Sequence, residues 1–474
     1  MNSVAIIGGG ITGLTAAFRL REKGIPATVY EASPRVGGVI QTLCSGGYLA
    51  EYGPNTLLET SPRITDLIRT LGLRSRCLQA DPRAKNRYVV RGRKPMALPG
   101  SVFQFLTTKL FSASAKLRLF KEPFIGQGVG EESVGAFVER RLGREFLDYA
   151  IDPLVSGIYA GDPNRLSVQH AFPKVYGLEQ KYGSLIKGQI FGARERKHRA
   201  EVSKATAPKL SFDLGLQVLP DTLHAHLGGS VLLNAPVSRV IEEAQGWSVE
   251  FTSGGQLERG RHSAVLFAGP AYRLPQLRVE AGGIINLSAF GEIHHPPVAS
   301  VVLGFATAQV NHPLDGFGML VPKVEGFNIL GTVFTSSLFP NRAPAQHATL
   351  TSYLGGARNP SLARETSERL VELTLKDLAT ILGVTGRPTF QHVVVFQQAI
   401  PQYEVGYARF KRLLDEVEAA APGFFLGGNY RQGPSLSDSI LSGHDAADKI
   451  GSFVQSGQRG DPARASTPQP ALSA

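Results

Sequence analysis

The chain opens on a short apolar run, Ser3 to Ile7, that ends in Gly8-Gly9-Gly10. A continuous apolar run of that length reads as a strand buried on both faces. Leu14, Ala17, Phe18 and Leu20 then recur at helical spacing, which predicts a helix from Thr12 to Lys23, stopped by Gly24. Ala27 to Tyr30 reads as a second strand, closed by Glu31, so the first thirty or so residues form a β-α-β unit. Further along, Ile64, Leu67 and Ile68 predict a helix over Pro62–Leu71. Arg87–Val90 and Lys94–Leu98 read as strands around an Arg91-Gly92 turn. From Val102 to about Gly192, Phe and Leu recur at helical intervals (Phe103, Phe105, Leu106, Leu110, Phe111). Strand patterns return at Ser230–Leu233, Ser248–Phe251, Ala264–Phe267, Ser300–Phe305, Asn328–Phe334, Thr349–Leu354 and His392–Phe396. A long helix over Ser361–Leu382 falls among them, and a last helix ends near Phe453. This order predicts an α/β chain of mixed α+β type, with a Rossmann-type dinucleotide domain assembled from separated segments.

Composition narrows the picture. With 42% hydrophobic and 19% charged residues over 474 positions, the chain can bury a large core. Its net charge of +11 admits nucleic acid, anionic lipid or anionic substrates, but no nucleic-acid-binding motif accompanies the charge, so nucleic acid is not expected. Arg194 to Lys209 is a basic stretch read as a mobile surface loop. The Gly-, Ser-, Pro- and Ala-rich residues from 454 to 474 are read as a disordered tail. Cys44 and Cys77 stand in no CxxC or metal pattern, are read as small buried or half-buried hydrophobes, and fit a reducing compartment. No apolar run reaches the length of a spanning helix and no signal peptide is recognised. The expected location is cytoplasmic, with any membrane contact peripheral.

Four motifs carry chemistry. Gly8-x-Gly10-x-x-Gly13 follows a strand and opens a helix, an arrangement that brings a pyrophosphate onto backbone and onto free N–H groups at the helix start. Glu31 lies 18 residues beyond Gly13, suits the ribose hydroxyls and repels a 2′-phosphate, which points to FAD or NAD rather than NADP. Arg35-x-Gly37-Gly38 is an extension typical of FAD-binding members of the group, with Arg35 placed to screen phosphate charge. Glu51-Tyr52-Gly53-Pro54-Asn55-Thr56 is a sharp loop of the kind that runs near an isoalloxazine ring. Near the other end, Phe424-Phe425-Leu426-Gly427-Gly428-Asn429-Tyr430 leads to Gly433-Pro434-Ser435-Leu436-Ser437-Asp438 and Ser442-Gly443. That is a strand, a glycine-rich turn and a helix start whose N–H groups can face the flavin's pyrimidine oxygens. No cysteine lies near it, so the flavin is expected to be non-covalent FAD. Gly9, Ile11, Thr12, Ala32 and Val237 complete the residues expected around the cofactor. Asp152 and Asp162, which flank an apolar segment, leave a paired-carboxylate glycosidase as a competing pattern.

Beyond these motifs the chain resembles the oxygen-dependent protoporphyrinogen oxidases, from its start to about Gly451. The resemblance is carried by Val155-Ser156-Gly157-Ile158-Tyr159-Ala160-Gly161-Asp162-Pro163, Phe172-Pro173-Lys174, Leu178-Glu179-Gln180 and Gly183-Ser184-Leu185. Gly316-Phe317-Gly318-x-Leu320-Val321-Pro322, Tyr353-Leu354-Gly355-Gly356 and Ile400-Pro401-Gln402-Tyr403 also match. It implies the fold of p-hydroxybenzoate hydroxylase and the amine oxidases. The expected division is an FAD domain (1–85, 205–270 and 406–453), a mixed-sheet substrate domain (86–100 and 271–405) and a helical, membrane-facing block (101–204). It implies removal of six electrons from protoporphyrinogen IX in three flavin cycles, with dioxygen reoxidising the flavin and hydrogen peroxide released. The family is not known for an indispensable acid–base side chain, and no catalytic dyad is apparent. By the same resemblance Phe317, Gly318 and Leu320 lie over the macrocycle, Tyr353 lies near it, and Gly161 sits where only a small residue fits. Phe103 stands where many members place a propionate-pairing arginine, with Lys109 and Lys174 as alternative cations. Expected partners are the porphyrinogen, dioxygen, an anionic membrane surface and a second copy of the chain in a homodimer. Coproporphyrinogen III is the close competitor as substrate. An amine oxidase, a carotenoid desaturase or a non-catalytic flavin- or porphyrin-binding carrier are the more distant readings.

Overall fold

The computed structural model describes residues 3–192 and 207–456. The tail beyond 456 and most of the basic stretch Arg194–Lys209 lie outside them. Val4–Ile7 is the central strand of a five-stranded parallel sheet, with Ala27–Tyr30 and Val231–Leu232 on one side and Ala264–Phe267 and Phe424–Leu426 on the other. All four residues of Val4–Ile7 are buried, which is why the run is apolar without alternation. The helix Ile11–Glu22 crosses one face of this sheet. Beside it packs the 20-residue helix Leu436–Gln455 from the far end of the chain. Gly443 makes the approach close: a Cβ there would lie 2.5 Å from the Thr12 carbonyl oxygen.

Two more large sheets complete the molecule. Gln256–His262, Gly246–Ser253, Val237–Glu243, Arg278–Glu280 and Ile284–Ile285 form one. The other has seven strands, in the order Phe390–Phe396, Val298–Ala306, His347–Gly355, Ile329–Phe334, Gly316–Leu320, Asn86–Arg91 and Lys94–Ala97. It is antiparallel except where Gly316–Leu320 runs parallel to Asn86–Arg91, so it is a mixed sheet. Between residues 102 and 191 the chain is a cluster of short helices around their own apolar core, which includes Phe111, Phe137, Phe146, Val155 and Leu166. The fold is the mixed α/β arrangement expected.

Three local expectations need correction. The regular helix expected over Ser361–Leu382 begins at Ser367, because the Thr366 hydroxyl caps the Arg369 N–H; only a 3-10 turn, Leu362–Arg364, precedes it. The last helix runs two residues past Phe453, to Gln455, with the Phe453 ring set edge-on to Phe425. Cys44 is exposed rather than buried, since it lies on the two-stranded hairpin Thr42–Ser45 with Tyr48–Glu51; Cys77 is half-buried as expected.

Candidate active site

The carboxyl end of the parallel sheet gathers the glycine-rich turns. Gly8 has φ +112°, which a side chain would strain, and a Cβ on Gly13 would lie 2.0 Å from the Gly8 carbonyl oxygen. The turn and the helix start are thereby pressed together. Gly10 differs: no atom lies within 4 Å of the position a Cβ would take. The helix Ile11–Glu22 begins there with no side-chain cap, so its first N–H groups face that open space. Glu31 is buried at the end of Ala27–Tyr30. Its Oε2 accepts the Gly9 N–H at 2.6 Å and its Oε1 accepts the Ser33 N–H at 2.8 Å. The carboxylate thus braces the turn beside the opening. Ala32 is exposed next to it. Val237 begins the strand Val237–Glu243 two residues after Ala235, whose N–H donates to the Glu31 carbonyl.

Arg35 donates to the Val36, Gly38 and Ile40 carbonyls at 3.0, 2.7 and 3.2 Å, so its guanidinium shapes the Gly37-Gly38 turn while leaving its charge there. Gly37 pairs with Gly10 in an isolated parallel bridge. Gly53 is bound to the same loop: a Cβ on it would lie 2.7 Å from the Val39 carbonyl oxygen. Pro54 and Thr56 are half-buried around Asn55, which is buried. The Asn55 side-chain N–H donates to the Tyr353 hydroxyl, which itself donates to the Gly53 carbonyl at 3.3 Å. Asn55 Oδ1 is buried and has no partner among protein atoms. That orphaned acceptor and the open space at Gly10 are what a dinucleotide lying across these turns would satisfy. The residues present therefore fit a flavin.

The opposite end of the chain closes the cradle. Gly428 and Gly433, with φ +138° and +144°, bracket the four-residue helix Asn429–Gln432, and the Gly428 N–H donates to Ser442 Oγ at 2.9 Å. Pro434 leads to Ser435, which caps the helix Leu436–Gln455 in a reciprocal pair with Asp438. This cap takes up the Asp438 N–H and adds a carboxylate at the helix start. The N–H groups nearest the opening are those of Leu436 and Ser437, and the dipole there is partly opposed.

Facing the cradle is the seven-stranded sheet. Phe317 is half-buried on Gly316–Leu320. A Cβ on Gly318 would lie 2.2 Å from the Thr332 carbonyl oxygen, so the strand passes its neighbour with no room for a side chain. Leu320 lies between two glycines; a Cβ on Gly157 would be 2.6 Å, and one on Gly331 3.3 Å, from its Cδ2. Tyr353, on His347–Gly355, is half-buried; burial pushes its hydroxyl far above the usual phenol range, with Glu51 adding to the effect. Gly161 is buried, and the space beside it is filled by Gln402 Oε1, Leu166 and Tyr159, at 2.6, 3.0 and 3.1 Å from a Cβ. The expected need for a small residue there has this neighbour-packing cause. Phe103 is 75% exposed on the short helix Val102–Thr107.

Asp152 is not one of a catalytic carboxylate pair. Its Oδ2 lies 3.0 Å from Arg358 Nη2 and accepts the Lys323 N–H at 2.7 Å, and both charged side chains are nearly buried. The ion pair ties the helix Asp152–Tyr159 to the segments after Leu320 and after Gly355, which removes the glycosidase alternative.

Some residues of the site carried no assigned role in the sequence. Glu51, 1% exposed, accepts the Thr42 hydroxyl at 2.7 Å and the Leu216 N–H at 2.8 Å. Tyr403 and Tyr407 donate to the Asn429 and Tyr430 carbonyls. Glu51 and Tyr403 fall inside quoted motifs, but side chain-to-backbone bonds between distant segments leave no periodicity to read.

Comparison with known proteins agrees with this geometry. The model of the family described as flavin containing amine oxidoreductase matches residues 11–451. Protoporphyrinogen oxidase 2, chloroplastic/mitochondrial, of Arabidopsis thaliana is 34% identical over 96% of this chain and 94% of its own length. Coproporphyrinogen III oxidase of Bacillus subtilis (strain 168) is 31% identical over 94% of this chain and 96% of its own. Among solved structures, reduced UDP-galactopyranose mutase shares the fold with a TM-score of 0.72 at 14% identity, covering 96% of each chain. The chain is a flavin-dependent oxidoreductase and belongs to the flavin containing amine oxidoreductase family.

Proposed function

We propose that the chain binds FAD non-covalently and oxidises protoporphyrinogen IX to protoporphyrin IX, with dioxygen as the terminal acceptor. The observation that carries this is the direct hydrogen bonding of Tyr353, on the substrate-facing sheet, to Gly53 and Asn55 of the flavin loop. It supports a reading in which the sheet proposed to hold the macrocycle meets the loop proposed to hold the ring. When bound, FAD supplies hydride acceptance and onward electron transfer to dioxygen, with hydrogen peroxide as product. The helix start at Ile11 and the glycine turns would take the pyrophosphate, and Glu31 the ribose hydroxyls. Phe317, Leu320 and Tyr353 would hold the large tetrapyrrole substrate and keep water from the reacting carbon. The Tyr353 hydroxyl is already engaged and holds its proton strongly, so it orients rather than acts as a base.

Coproporphyrinogen III is the second reading, favoured by the full-length similarity to the Bacillus subtilis protein of that name. A further element of the proposal is peripheral contact with an anionic membrane. Phe103, Phe120, Phe124 and Phe191 are all exposed on the helical block, among basic residues that include Lys109 and Lys121. Anaerobic mixing of the yellow protein with each porphyrinogen tests the reaction. Flavin bleaching with one and not the other names the substrate, and no bleaching with either rejects the reading. A colourless protein that added FAD does not turn yellow rejects the cofactor as well.

A further inference from the structure

The loop Gly428–Gly433 is tied on one side by the Gly428 N–H to Ser442 Oγ and by the Arg431 side chain to Asp415 and Glu418. Its helix, Asn429–Gln432, is only four residues long, and short helices leave their last carbonyls without internal partners. Both flanking glycines take φ values that a side chain would strain, +138° and +144°. Two hydroxyls from one other segment take up carbonyls of this turn on its other side. Tyr403 donates to the Asn429 carbonyl, and Tyr407 donates to the next one, Tyr430, at 2.6 Å. Both rings are nearly fully buried and lie against each other, with centroids 4.5 Å apart.

The segment that carries these tyrosines is itself anchored on its far side. The Ser167 N–H donates to the Tyr403 carbonyl at 2.8 Å, and the Val405 N–H donates to the Arg165 carbonyl at 2.9 Å. Gln402 Nε2 donates to the Tyr159 carbonyl at 2.8 Å, and the Gly406 N–H donates to Glu131 Oε2 at 2.9 Å. The tyrosine hydroxyls are therefore fixed points, held by the helical block, against which the glycine loop is set.

We propose that Tyr403 and Tyr407 are positioning residues for the flavin, whose hydroxyls fix the height of the Gly428–Gly433 loop against the ring. This rests on the reading that the flavin lies against that loop. Tyr→Phe at both positions keeps the packing and removes the two donors, together with the hydroxyl that accepts from the Gly433 backbone, so the loop loses its registration while the core stays filled.

The test reconstitutes apoprotein with FAD and reads two quantities, the dissociation constant and the fine structure of the visible flavin band. The Y403F/Y407F variant is expected to bind FAD about tenfold more weakly, the scale of one or two lost buried hydrogen bonds, and to show a shifted, less structured band. Y159F is the control. It removes a buried hydroxyl from the same aromatic group, one that donates to the Ala171 carbonyl at 2.9 Å rather than to the loop. It should lower the melting temperature and leave both flavin readouts unchanged. A double variant with wild-type affinity and spectrum overturns the inference, as does an equal spectral shift in Y159F. If the double variant does not fold, Y403F and Y407F read singly decide by the same two quantities. Failure of the wild-type chain itself to take up FAD would instead strike at the proposed function.

Discussion

Single atoms set the limits of the cofactor cradle. Gly13→Ala would place a methyl group 2.0 Å from the Gly8 carbonyl oxygen, a contact only a shift of the helix start can relieve. The expected cost is about 1–3 kcal/mol of overpacking, and the purified variant should carry much less flavin, read as its visible-to-ultraviolet absorbance ratio. Glu51 makes a second prediction at this scale. Burial pushes its carboxyl from 4.5 to about 7, only partly offset by the Thr42 hydroxyl, the Leu216 N–H and the Arg342 charge. The folded chain therefore keeps a proton that the unfolded chain releases, and stability present at low pH is lost as pH rises through this window. The loss is on the order of 3 kcal/mol for a shift of that size. Melting temperatures from pH 5 to 8 should decline less steeply in E51Q than in the wild type; parallel curves would show that Glu51 is not the group responsible. Gly13 was legible in the sequence because its spacing is a motif. The burial of Glu51 was not, since a carboxylate before a Gly-Pro turn looks the same whether or not the fold covers it.

Elements are joined here by buried polar contacts more than by sequence neighbours. The Asp152–Arg358 pair holds the helix Asp152–Tyr159 to the sheet; burial raises the Asp152 carboxyl and lowers the Arg358 guanidinium, while their mutual attraction works the other way in each. Asp152→Ala leaves the guanidinium buried and unpaired, with an expected loss of about 3–5 kcal/mol. The apolar pair D152L/R358M should recover most of that loss in a thermal melt. Recovery would show that the ion pair fixes geometry at little net gain, whereas continued instability would mean that the Ser156 and Val321 contacts of Arg358 carry the stability. Most strands and long helices on either side of this pair were legible from periodicity. The start at Ser367 was shifted from the expected position by one capping hydroxyl, a choice between Ser361 and Thr366 that the apolar pattern does not decide.

At the scale of the whole molecule, several phenylalanines between residues 102 and 191 are left exposed. Phe124 is 86% exposed and Phe120 73%, more than an ordinary surface residue of this type needs. No helix among the described residues is long and apolar enough to cross a membrane. Sedimentation with vesicles containing phosphatidylserine should carry the wild-type chain down, and Phe120→Ser with Phe124→Ser should reduce the bound fraction several-fold, as expected for lost apolar insertion. Equal binding of the two proteins would assign the attraction to the basic charge alone, and high salt would then release both.

What the sequence determined by itself is local: the β-α-β start, the three glycine turns, the acidic residue after the second strand and the strand-turn-helix near the end. These follow from steric and periodic rules that act over a few residues, so they are written in the order of the chain. What only the tertiary structure decided is which distant groups meet. Gly443 lies under Thr12, Asn55 meets Tyr353, and Asn429 meets Tyr403. Each of these contacts joins a side chain, or the lack of one, to backbone or to a group on another segment. Only the packing of layers brings such partners together, and no repeat along the chain records them.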